Sequence, residues 1–199
     1  MSILATLTAA IESQDPHLRG HSARVSASAE SVARRLGWDE RRVAVLRLGG
    51  ALHDVGKIAV DVAVLRKPGP LDADELAQIR RHPEAGAQLL HGIAEFKAAL
   101  PCVLYHHERW DGSGYPSGRA GTRIPVEARL LAVADAFDAM TSPRPYREAL
   151  TAENALEELE RCAGTQFDPN LAGGFVDAWR IRVQGGGLPA RAVARQLIA

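Results

Sequence analysis

The chain has 199 residues, 46% of them hydrophobic, with 24 basic side chains against 24 acidic ones. That length suits one domain with a substantial core. The balanced charge gives no global field that would draw nucleic acid or a membrane surface, so any anion binding must be local. Two cysteines, Cys102 and Cys162, are too few for a disulfide framework and read as buried free thiols in a reducing cytoplasm.

The opening MSILATLTAA lacks the basic start and long apolar core of a signal peptide. No apolar run approaches the roughly 18 residues of a membrane span. Asp15-Pro16 reads as an N-cap with proline in the first turn, and Gly37 can close that helix. Its inward stripe is Leu18, His21, Val25, Ala29, Val32 and Leu36. Asp39 opens a second helix through Val43, Leu46 and Leu52, ended by Gly56. Asp72 with Glu75 makes a capping-box start. Pro83 forces the chain at His82 out of helical geometry, into a bend. Ile124-Pro125 starts a helix through Leu130, Leu131, Val133 and Phe137 that stops near Thr141-Ser142-Pro143, and Thr151 and Asp168-Pro169 begin two more. No stretch alternates with period two, so the expected class is all-α. Segments 61–71 and 108–124 are the long loops, a length that usually carries function. From Gly185 the chain reads as a glycine-rich joint and a short C-terminal helix, leaving residues 1–184 as one domain.

Five of the seven histidines stand where they can converge: His21, His53, His82, His106 and His107. Any one alone reads as an ordinary core or surface histidine. As a set they sit with two notable carboxylates, Asp54 directly after His53 and Asp135 inside the apolar run LLAVADAFDAM. A buried, unpaired carboxylate costs several kcal/mol, and a metal ion removes that cost. Imidazole with carboxylate suits Fe, Mn or Zn.

The segments GHSARV (20–25), LHDVGKI (52–58), RHPEAG (81–86), HHERWDGSGYP (106–116), IPVEARLLAVADAFDAMTS (124–142) and RPYREAL (144–150) resemble the HD-GYP phosphodiesterases of the HD superfamily. An HD dipeptide alone is a weak signal. HHERWDGSGYP followed at this distance by VADAFDAMTS is a strong one. The resemblance implies a compact helical HD bundle with a long GYP loop, hydrolysing cyclic di-GMP to pGpG and on to GMP at a centre of two or three divalent ions. It implies that His21, His53, Asp54 and Asp135 hold one metal, with Asp54 bridging to a second held by His82, His106 and His107. Two such ions can share a hydroxide, lower its pKa and aim it at phosphorus. With no thiolate among the ligands, Fe or Mn is the expected metal.

Lys57 is either a solvated lysine at a helix end or, as the resemblance implies, the contact to the scissile phosphate. Gly112 and Gly114 let backbone come close to a ligand. Tyr115 offers a face for guanine stacking, whereas Trp110 reads as packing the loop onto the body. Arg144 and Arg147 are either surface charges or the local cationic clamp that a neutral protein needs for a dianion. His17, four residues before His21, is either a third-metal ligand or a rim residue, and His91 matches nothing. Many relatives carry a glycine and then Pro-Asp where this chain has Ala59, Asp61 and Val62. Most also carry a receiver or sensor domain ahead of the motif region, so regulation here is expected from a partner such as a diguanylate cyclase, from a homodimer, from the tail or from substrate supply. Two other readings stand beside cyclic di-GMP hydrolysis: an HD-type phosphohydrolase of another nucleotide, the mixed cyclic GMP-AMP included, and a non-enzymatic adaptor that binds a cyclase through the GYP loop.

Overall fold

The computed structural model describes residues 3–14, 18–143 and 148–184, the side chains of 182–184 excepted. Within that range the protein is all-α, and its one β-feature is an isolated bridge between Ala163 and Phe167. No helix among the described residues is long and apolar enough to cross a membrane.

The N-terminal segment forms a helix that its sequence did not announce, α1 (Ile3–Gln14). Its Leu4, Leu7 and Ile11, three and four residues apart, pack onto the apolar cluster of Leu52, Val55, Leu90, Phe96 and Val103. The next helix, α2 (His21–Arg35), starts later than expected. Leu18–Gly20 form a tight turn, and Gly20 stands at φ 70°, a left-handed geometry that ends one element before the next begins. Asp15, Pro16 and His17 lie outside the described residues. Leu36 is also a correction: it caps α2 and is 39% exposed, off the buried stripe.

Asp39 caps α3 (Glu40–Leu52) by accepting from Arg42 N, and a 3-10 turn (Val55–Ala59) follows. Asp61 caps a short helix, α4 (Val62–Leu65), inside the segment expected to be a plain loop. Asp72 and Glu75 form the expected capping box of α5 (Ala73–Arg80). The bend after it falls on Arg81, so His82 is already the first residue of α6 (His82–Leu90), with Pro83 in the first turn where its missing N–H costs nothing. A 3-10 stretch (Ala94–Ala99) leads into α7 (Leu100–Tyr105). The long loop then runs to α8 (Val126–Thr141), followed by α9 (Ala152–Arg161), capped by Thr151, and α10 (Pro169–Gln184).

The main core joins α2, α3, α8, α9 and α10 through Val25, Leu46, Leu131, Phe137, Leu159 and Phe175. Gly49 and Gly50 let α3 pack this tightly: a Cβ on Gly50 would lie 2.8 Å from the Ser26 backbone, and one on Gly49 would lie 2.4 Å from Cys102 Cβ. Both cysteines are free; Cys102 is buried, but Cys162 at the end of α9 is only half-buried, contrary to expectation.

Candidate metal centre

The last carbonyls of an α-helix have no partner within the helix. Three histidines supply one. His53 Nδ1 lies 2.8 Å from Gly50 O, His82 Nδ1 2.7 Å from Ile79 O, and His106 Nδ1 2.9 Å from Val103 O. Each spans three residues back, into α3, α5 and α7 respectively. A carbonyl only accepts, so Nδ1 of each ring carries the hydrogen and Nε2 is left with its lone pair. His21 Nδ1 meets a carboxylate instead, Asp138 Oδ2 at 2.7 Å.

The Nε2 atoms converge. His21 and His53 are 3.3 Å apart at Nε2, and His82 and His106 are 3.2 Å apart. Asp54 stands between the two pairs: Oδ2 is 3.8 Å from His21 and 3.6 Å from His53, while Oδ1 is 3.4 Å from His82. Asp135 Oδ1 lies 3.2 Å from His21 Nε2 and 3.9 Å from His53 Nε2. Among the described residues, ligand atoms close enough for one ion fall into two groups, His21–His53–Asp54 and Asp54–His82–His106–His107, which share Asp54. The seven residues expected as ligands are thus brought to one place.

Burial pushes His82 down to about 4 and holds His106 well below its usual range, with His107 also lowered. These are neutral donors. Asp54 is buried, which opposes ionisation, yet the Lys57 ammonium and the histidines hold its carboxyl well below the usual range. Asp135 is likewise held low against burial, through its bond to His21. His21 moves the other way: burial opposes protonation, but bonds to Asp135 and Asp138 raise it to about 9. Four imidazole nitrogens facing two carboxylates at this spacing need a positive charge, and on His21 a second proton supplies it. The donor set therefore fits divalent cations bound through nitrogen and oxygen. Cys102, its thiol pushed up to about 12 by burial, packs against Gly49 in the core.

Around the ligands the structure adds residues that sequence reasoning passed over. Asp138 is buried and takes Arg24 on both oxygens, Nε to Oδ1 at 2.6 Å and Nη2 to Oδ2 at 2.9 Å. The signal was available: Arg24 is three residues after His21, and Asp138 three after Asp135, each pair on one helix face. Glu108 is buried beside His107 and accepts from Ser117 N at 2.7 Å and Arg119 N at 3.0 Å, which ties the GYP loop to its root. Gly56 lets the 3-10 turn meet α6, since a Cβ there would lie 1.9 Å from His82 O.

Lys57 Nζ donates to Asp54 Oδ2 at 2.6 Å, so it stands at the centre's edge and not free at a helix end. Tyr115 stacks on the His107 ring at 4.9 Å, with Arg80 over it at 5.6 Å. The empty Cβ position of Gly114 faces the loop's own backbone, 2.4 Å from Arg109 N, so glycine here closes the loop on itself. The Trp110 ring lies under Arg129 of α8 at 5.7 Å, and its backbone N–H donates to Gln166 O at 3.0 Å. His91 is exposed. Arg144 and Arg147, like His17, lie outside the described residues. A groove of about 430 Å³ runs from His106, His107 and Asp135 past Tyr115 to α9.

The family profile described as "HD domain" matches residues 5–171. Among curated proteins, the chain is 45% identical over 168 residues to the cyclic di-GMP phosphodiesterase response regulator RpfG of Xanthomonas campestris, covering 83% of this chain and 44% of that one. It is 35% identical over 179 residues to the 3'3'-cGAMP-specific phosphodiesterase 2 of Vibrio cholerae, covering 89% of this chain and 34% of that one. The chain thus spans less than half the length of these relatives. Among solved structures, a cyclic GMP-AMP-specific phosphodiesterase of V. cholerae shares the fold, with a TM-score of 0.74 at 18% identity over 98% of this chain and 52% of that one. The chain belongs to the HD domain family, in the HD-GYP branch that its loop motif implies.

Proposed function

We propose that this protein is a metal-dependent phosphodiesterase that hydrolyses a cyclic dinucleotide, cyclic di-GMP first among them. The observation that carries the reading is Asp54, buried between two groups of imidazole nitrogens and offering one oxygen to each. His21, His53, Asp54 and Asp135 would hold one divalent ion, and Asp54, His82, His106 and His107 a second. Ions bound there would supply Lewis acidity toward a phosphodiester oxygen and toward the attacking water. The chain's own part follows from its geometry. Asp138 and the three backbone carbonyls fix the aim of His21, His53, His82 and His106. Lys57, 2.6 Å from Asp54, presents an ammonium at the edge of the centre where negative charge on phosphorus oxygens builds up. Glu108 holds the GYP loop as one wall of the groove.

The names of the relatives support a cyclic dinucleotide as substrate and divide between cyclic di-GMP and cGAMP. The proposal is for two ions, with His17, where the resemblance offers no ligand, as a rim residue. Cleavage to pGpG and on to GMP, iron or manganese as the ion, and a diguanylate cyclase or a second copy of the chain as partner belong to the same proposal, supported by the resemblance. So does a reducing cytoplasm, supported by two free thiols. An adaptor role leaves the complete ligand set without a use. Metal-replete protein is expected to carry at least two equivalents of iron or manganese and to turn cyclic di-GMP into linear product. Asp54→Ala is expected to lose both the ions and the turnover. Less than one equivalent in the wild type, or near-normal turnover in Asp54→Ala, would overturn the reading.

A further inference from the structure

The groove beside the ligands continues beyond them, and the reaction proposed above makes no use of its far part. Resting on the phosphodiesterase reading, we propose that this part is a base subsite that selects guanine through the carboxylate of Glu158.

Ala132, Ala136, Ala139 and Met140 line the groove and share with Asp135 one face of α8, by steps of three and four residues. Asp135 belongs to the ligand cluster. Ala139 stands one helical turn further on, roughly 6 Å along the axis, a step comparable with that from phosphate to base within one nucleotide. Small alanine side chains, with Met140 and the buried Phe167, make an apolar surface on which a flat ring can lie.

Three acidic side chains line the groove among the described residues. Asp135 faces His21. Glu108 is buried with both oxygens on loop N–H groups. Glu158, on α9, is left to meet a base. Its side chain is 37% exposed; Arg161, whose own side chain is 70% exposed, donates to both oxygens, and the Cys162 thiol donates to Oε1 at 3.5 Å. Arg161 engages the two oxygens with two N–H donors side by side, the pattern a base edge would have to match, and because the pair is open to water a ligand with that pattern can exchange with it. Guanine presents N1–H and the N2 amino group side by side, two donors that match the two carboxylate oxygens. Adenine presents an acceptor at N1, whose lone pair would face an anionic oxygen. Cyclic di-GMP and the mixed cyclic GMP-AMP therefore both satisfy the subsite, and cyclic di-AMP does not.

GMP and AMP carry the same phosphate and sugar and differ in this edge. Calorimetric titration of the metal-loaded full chain is expected to show GMP binding roughly 10- to 100-fold more tightly than AMP. Glu158→Ala and Glu158→Gln are each expected to bring GMP to the AMP level with AMP unchanged, at wild-type helix content. No GMP preference in the wild type, a preference retained in both variants, or equal weakening of both nucleotides would overturn the proposal. Protein that prefers GMP but cleaves no cyclic di-GMP would sink the phosphodiesterase reading and leave the subsite standing. Protein that cleaves cyclic di-GMP and cyclic di-AMP alike, without a GMP preference, would do the reverse.

Discussion

His53, His82 and His106 each follow or end a helical turn and return Nδ1–H to the carbonyl three residues back. His21 differs, because its support is the Asp138 carboxylate with Arg24 behind it. A carboxylate partner raises imidazole basicity more than a carbonyl does, so an ion held by His21 and His53 would lean on Asp138. Asp138→Asn is expected to weaken binding at that position about 10- to 100-fold, with the ion shared by His82, His106 and His107 retained. Metal analysis after dialysis against graded chelator checks this, and equal loss of both ions would show that the two positions are not separable. Lys57→Ala is expected to keep both ions yet lower kcat roughly 100- to 1000-fold. Loss of metal in that variant would assign Lys57 to holding Asp54 rather than to the phosphate.

At the scale of elements, the centre exists because helix ends are brought together and α8 passes beside them. The contact between the 3-10 turn (Val55–Ala59) and α6 sets the distance from Asp54 to His82, and Gly56 permits it. A Cβ at Gly56 would meet backbone of His82 and Gly86, atoms that cannot swing aside as a side chain could. Gly56→Ala is therefore expected to cost about 3 kcal/mol of stability, and to weaken metal binding by moving the two elements apart. Urea unfolding paired with metal analysis checks both effects. An alanine variant with wild-type midpoint and metal content would mean that the turn has room to shift.

At the scale of the whole molecule, two histidines of the metal-free protein make stability depend on pH in opposite senses. Burial takes His82 from 6.5 to about 4, against the pull of Asp54. Between those values the unfolded chain takes up a proton that the folded one refuses, so stability falls as pH falls. His21 rises from 6.5 to about 9, its bonds to Asp135 and Asp138 outweighing burial. Its contribution is complete below 6.5 and is lost as pH rises toward 9, because the folded chain holds the extra proton over that window. Chelated protein is expected to have its highest urea midpoint near pH 6.5, falling on both sides. A bound ion takes the place of the second proton on His21, so the alkaline decline is expected to vanish in metal-loaded protein. Identical pH profiles with and without metal would contradict this assignment.

Much of this was legible in the chain. Asp39, the Asp72–Glu75 pair, Thr151 and Asp168-Pro169 announced helix starts, because capping is a local matter between a side chain and an N–H a few residues on. The ligand residues were legible because imidazoles and carboxylates in apolar surroundings need a reason to be there. α1 was not, since its stability comes from packing onto residues some 40 to 100 positions later. Asp138 and Arg24 were legible only in part: spacing puts them on the same helix faces as Asp135 and His21, but their pairing joins positions 117 and 114 residues apart, which no local pattern fixes. Residue type and spacing determined which groups could bind a metal. Which nitrogen faces the centre, which oxygen of Asp54 serves which group, and what stands behind His21 were decided by how the helices pack, because each depends on a distance between segments that no local pattern encodes.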